Sequence, residues 1–154
     1  MTDMIIQCVG AIIAVVGFGI VLRVPAKFLW WAGLDGGIGW LVYLTANRML
    51  ESPLLSTFLG AMVISAGAHL CARKFRTPVT MFLIPANMTL VPGAGMYRIV
   101  YYILQPRNEL SMYYFQQTLQ TAGMIALAMF VVNTALGNFH IKRENASKRD
   151  GENH

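Results

Sequence analysis

Apolar residues fall into five long blocks, at 4–22, 28–46, 53–72, 80–104 and 111–136, separated by short polar or basic stretches. Each block is long enough to cross a membrane. The first, 19 residues, would be about 28 Å long as a helix, close to the hydrocarbon thickness of a bilayer. The pattern predicts an all-α integral membrane protein with about five transmembrane helices. Within it, residues 1–139 form the membrane domain and the polar stretch 140–154, which has no apolar period, is expected to be a disordered cytoplasmic tail.

The fourth block is unlike the others because it carries Pro85, Pro92, Gly93, Gly95 and Arg98 within a hydrophobic run. Proline removes a backbone donor and clashes with the preceding turn, while glycine tolerates backbone angles that other residues refuse. A helix discontinuous between Pro85 and Gly95 is therefore expected, stopping before Pro92 and restarting after it. Proline suits the first position of the restart. Thr89 is a candidate cap, and the first free N–H groups, at Gly93, Ala94 and Gly95, would carry the positive end of the second helix dipole. Irregular backbone survives in a bilayer only where protein or a watered cavity satisfies it, and transporters place substrate sites at such breaks. The expected ligand is a carboxylate, held by Pro92, Gly93, Ala94, Gly95 and Arg98, with Asn87 and Thr89 available for an amino or hydroxyl group. A plain proline kink filled by a neighbouring helix is the simpler alternative.

The second block carries Asp35 and four glycines at 33, 36, 37 and 39, so it either spans the membrane or re-enters it. An ionisable group at that depth marks a proton site or the partner of a cation, and Arg98 is the cation to name. The alternative is a wet cytoplasmic vestibule around Asp35. Small residues at helical spacing in the first, third and fifth blocks, such as Gly10, Ala14 and Gly17, read as helix-packing faces.

Composition agrees with the pattern, since 56% of residues are hydrophobic and only 12% charged, about half the charge of a typical soluble chain. The net charge of +5 is not a nucleic-acid footprint, because the basic residues flank the apolar blocks. With five spans, Arg23, Lys27, Arg73, Lys74, Arg76, Lys142, Arg143, Lys148 and Arg149 share one side, against Arg48 and Arg107 on the other. Nine against two puts the C-terminus in the cytoplasm and the N-terminus outside. Tyr101, Tyr102, Tyr113 and Tyr114 flank the outer loop, and Trp30 and Trp31 the inner face, as interfacial anchors. Cys8 and Cys71 read as small buried residues, and the three histidines lack ligand spacing, so neither a metal nor a cofactor is expected. No nucleophile–base pair or phosphate loop points to an enzyme.

Three segments in order, Val24-Pro25, Ala32-Gly-Leu-Asp-Gly-Gly-Ile-Gly-Trp40 and Ile84-Pro-Ala-Asn-Met-Thr-Leu-Val-Pro-Gly-Ala-Gly-Met-Tyr97, resemble the threonine/serine exporter family. The resemblance covers nearly all of the chain except its polar tail. It implies a transporter built of two five-helix halves, fused or split into a larger and a smaller subunit, with this chain similar to the smaller one. The implied setting is a bacterial inner membrane and the implied cargo small amino or carboxylic acids, either threonine and serine or a dicarboxylate such as succinate. The implied partner is a second membrane subunit with inverted topology, although self-association would also complete the fold. A non-transporting membrane scaffold or accessory subunit is the alternative function.

Overall fold

The computed structural model describes residues 2–105 and 108–151, and side chains for 3–105 and 109–136. Among the described residues there are six helices and no strand. They are α1 (Thr2–Val21), α2 (Ala26–Leu50), α3 (Pro53–Phe75), α4 (Thr80–Asn87), α5 (Gly93–Ile103) and α6 (Asn108–Gly151). Three of them, within Asp3–Val21, Pro53–Phe75 and Glu109–Leu136, are long and apolar enough to cross a membrane. α2 has the length, but Lys27, Asp35 and Arg48 and its glycines dilute its apolar character. The backbone of α6 continues as helix through Gly151, over positions that composition reads as a tail. Residues 152–154 lie outside the described residues.

The glycines of α2 are explained by its position between two neighbours. Val16 and Ile12 of α1 fill the spaces left at Gly33 and Gly37, while Ile64 of α3 fills the one at Gly39. A helix without side chains on two faces can be approached closely from both. At the α2–α3 crossing a Cβ added at Gly60 would stand 3.1 Å from the Gly39 carbonyl oxygen, so two backbones nearly touch there. Overpacking such a contact costs about 1–3 kcal/mol. Gly60→Val should accordingly lower the thermal unfolding midpoint of the detergent-solubilised protein. An unchanged midpoint would mean that these glycines do not set the helix separation.

The packing pairs also give directions. Gly33 against Val16 and Gly37 against Ile12 make α2 antiparallel to α1, and Gly39 against Ile64 with Gly60 against Tyr43 make α3 antiparallel to α2. Phe82 of α4 packs near Phe75 while Leu90 reaches Gly60, so the chain after α3 runs back along it. Gly95 faces Thr118, and Ser111 donates a hydrogen bond to the Ile99 carbonyl at 3.2 Å, so α6 in turn runs back along α5. α3 and α6 are parallel neighbours, with His69 beside Asn133 and Arg73 donating to the Leu136 carbonyl.

Two apolar clusters hold the bundle. One joins Phe28, Phe75 and Phe82, whose ring centroids lie 5.4–6.1 Å apart, with Val15, Ala32 and Ala68. The other joins Ala61, Ile64, Ala86, Leu90, Ile125 and Ala128, deep between α3, α4 and α6. Edge-on aromatic contacts of this kind favour a fixed geometry over a fluid one. At one end of the bundle Tyr102 stacks on Tyr114, and at the other Trp31 packs on Phe75.

Candidate functional site

The helix that begins at Thr80 ends at Asn87, and a new one begins at Gly93. Pro85 is accommodated inside α4, and the break falls after it. Beyond Pro85 the N–H groups of Met88, Thr89 and Leu90 bond back three residues, to the carbonyls of Pro85, Ala86 and Asn87. The helix thus tightens into 3₁₀-like turns before it stops. Pro92 supplies no donor and closes the turn, with Gly93 N–H donating to the Val91 carbonyl at 2.8 Å.

The start of α5 differs from expectation in two ways. Thr89 is not its cap, because its hydroxyl donates to the Ala86 carbonyl at 2.9 Å, and Pro92 holds the cap position without any side-chain bond. Gly93 N–H is engaged by Val91. The N–H groups left without a backbone acceptor in the first turn are those of Ala94 and Gly95. They still carry the positive end of the α5 dipole.

These groups open on a cavity of about 330 Å³. Thr89, Pro92, Gly93, Ala94, Gly95 and Arg98 all line it, and the opposite walls come from Trp40 and Tyr43 of α2, Thr57 of α3, and Tyr114, Gln117, Thr118 and Thr121 of α6. None of the lining residues is acidic. Two hydrogen-bonding groups in the walls, Trp40 Nε1 and Thr118 Oγ1, are buried with no partner. Among the described residues, the lining therefore offers the arginine charge and the positive end of a helix, and no carboxylate. That chemistry suits a small anion such as a carboxylate.

Arg98 is exposed, and its guanidinium sits 5.2 Å from the Tyr114 ring centroid. Such stacking orients the planar group without consuming its N–H donors. No residue of α5 is buried, and among the described elements α5 packs only on α6. The cavity is correspondingly open on the α5 side.

Asn87 does not join the cavity. It is 4% exposed and turned into the core, where its amide donates to the Leu83 carbonyl at 3.1 Å. Asp35 and Arg98 do not meet either. Asp35 is 6% exposed, faces Gly67 of α3, and its Oδ2 has no hydrogen-bond partner, while Arg98 lies against α6. The wet vestibule is likewise not what surrounds Asp35, which is buried within the bundle. The residues that spacing alone did not assign to the site are Trp40, Tyr43, Thr57, Tyr114 and Thr121. The run of Gln117, Thr118 and Thr121 inside an apolar block was the available signal for the α6 wall. Among the described residues no group of His, Cys, Asp and Glu could hold a metal ion.

No curated protein and no solved structure matches the chain significantly. The family described as Threonine/Serine exporter, ThrE, matches residues 7–135, a stretch that takes in the cavity, the break and Asp35. With that match extending over most of its length, the chain belongs to the threonine/serine exporter family, whose members are transporters rather than enzymes.

Proposed function

We propose that this chain is the small membrane subunit of a secondary exporter of small amino or carboxylic acids, threonine and serine or a dicarboxylate such as succinate. The observation that carries the reading is the cavity at the restart of α5, which Ala94, Gly95 and Arg98 line together and in which none of the described lining residues is acidic. In this reading the substrate carboxylate takes the helix N-terminus and the guanidinium. Helix N-termini at membrane breaks bind carboxylates on the same principle in other transporters.

α4 and α5, 8 and 11 residues long, would span only about 12 and 17 Å, and each alone is too short to cross. Since α3 and α6 run parallel, α4 and α5 together make one return crossing, the discontinuous fourth of five. The excess of basic residues beside the C-terminal ends of α3 and α6 supports a cytoplasmic C-terminus and an outside N-terminus, in a bacterial inner membrane. An arginine and free N–H groups open to lipid on the α5 side are costly, which supports a second five-helix subunit, inverted in topology, closing the cavity. Asp35 is the candidate coupling group. Binding and releasing a proton would switch a buried charge off and on as the bundle alternates between its two faces.

Purification of the chain from its native membrane in mild detergent should bring a second multi-span protein with it. The reconstituted pair should then release preloaded threonine, serine or succinate from vesicles. Gly95→Val, whose side chain would collide with Thr118 where α5 packs on α6 beside the cavity, should cut the rate at least tenfold. If the chain travels alone and its vesicles retain all three solutes, the exporter reading is wrong. If the pair transports at full rate with Gly95→Val in place, the chain is a scaffold and the substrate passes elsewhere.

A further inference from the structure

The opposite end of the α3–α6 seam carries a second polar opening, of about 380 Å³, lined by His69, Arg73, Arg76, Thr77 and Asn133. It adjoins a space of about 410 Å³ that shares His69, Val79 and Asn133 and continues past Ser65 and Thr80 along Leu83, Met129 and Phe130. The two halves differ in chemistry and in depth. Arg73 and Arg76 stand at the end of α3, whereas Phe130 lies two turns back from Leu136, about 9 Å further into the membrane.

The polar half is built to meet negative charge. None of the described residues lining it is acidic. Arg73 is tied to α6 through the Leu136 carbonyl at 3.3 Å, and Thr77 Oγ1 is buried without a partner. Lys74, the third cation of this turn, is directed away and lies 4.6 Å from the Trp31 ring centroid. His69 donates its Nδ1–H to the Ser65 carbonyl at 2.8 Å, and its Nε2 lies 3.2 Å from the Asn133 side-chain amide on the inner wall. The apolar half is open to the hydrocarbon, with Phe130 67% exposed.

We propose that the two spaces form one binding site for an anionic phospholipid. Its headgroup phosphate lies against Arg73, Arg76 and Thr77, and an acyl chain lies along Val79, Leu83 and Phe130. Basic pockets between helices at the cytoplasmic leaflet recognise such headgroups by charge. A zwitterionic headgroup is disfavoured because its ammonium would face two guanidinium groups. The inference depends on the chain lying in a membrane and not on which solute it exports.

The test is lipid retention by the purified protein, with whatever subunit accompanies it, taken from nanodiscs of equal phosphatidylglycerol and phosphatidylethanolamine and examined by native mass spectrometry. The wild type should keep one phosphatidylglycerol, at least tenfold in preference to phosphatidylethanolamine. Arg73→Gln with Arg76→Gly should abolish the preference. Arg76 ends α3 at φ 51°, where glycine is at ease, so the second substitution spares the fold. Arg48→Gln, at the far end of the bundle, should leave the preference intact. Equal retention of both lipids, an unaffected double variant, or loss of preference in Arg48→Gln would each overturn the proposal. So would displacement of the lipid by millimolar glycerol phosphate or succinate, because the site would then serve a soluble anion.

Discussion

Arg98→Gln should reduce export to the level of empty vesicles while leaving the amount of folded complex unchanged. Among the described residues that line the cavity, Arg98 is the only one that is always charged. Removing the charged partner of a desolvated carboxylate costs about 2–4 kcal/mol, roughly a 30- to 1,000-fold loss of affinity. Glutamine keeps most of the length of the side chain and can still lie over Tyr114, so packing is preserved. Arg98→Lys should recover part of the activity, since a point charge restores attraction but not the planar fork. The measurements are efflux from proteoliposomes and the yield of intact complex on size exclusion. Transport by Arg98→Gln at the wild-type rate would take Arg98 out of the site and leave its contact with Tyr114 as a packing role.

A second large effect is expected at Asp35. Asp35→Asn should stop export driven by a proton gradient, by a hundredfold or more, while exchange of labelled for unlabelled substrate across the same vesicles stays within about twofold, the two effects differing by about 2 kcal/mol or more. The carboxyl is buried against the bare backbone of Gly67, and Oδ2 has no partner. An ionised carboxylate in that position is expensive, so a gradient that supplies or removes its proton has a direct hold on the packing of α2 against α3. Asparagine matches the shape and cannot titrate. Gradient-driven export surviving in Asp35→Asn would make the residue a structural acid.

Much of this was written in local chemistry. Pro92 and Gly93 break a helix whatever surrounds them, and the glycines of α2 announce close packing before the neighbours are known. What local chemistry did not carry was the side of each helix on which a polar group lands. Asn87 and Thr89 sit two residues apart beside the break, yet one side chain turns into the core and the other, bonded back to Ala86, lines the cavity. The far wall depends on register between distant segments, since Trp40, Thr57 and Thr118 meet only because α2, α3 and α6 align at one level. The pairing of Asp35 with Arg98 failed for the same reason. Opposite charges in one membrane domain suggest partners, but their helices present them to different neighbours. At the C-terminal end, the polar Lys142, Arg143 and Glu144 are good helix formers, as is Ala146, and α6 runs on through them.

The bareness of α5 reaches beyond the cavity. With no buried residue and α6 as its sole neighbour among the described elements, it has the fewest tertiary contacts there to oppose local opening, and such segments exchange and unravel first. In the proposed two-subunit exporter, a copy of this chain left without its complement would present to the cell's proteases the helix proposed to hold the cargo. Under that proposal, excess copies would be removed through α5, and folding stability would hold the two subunits at matched abundance.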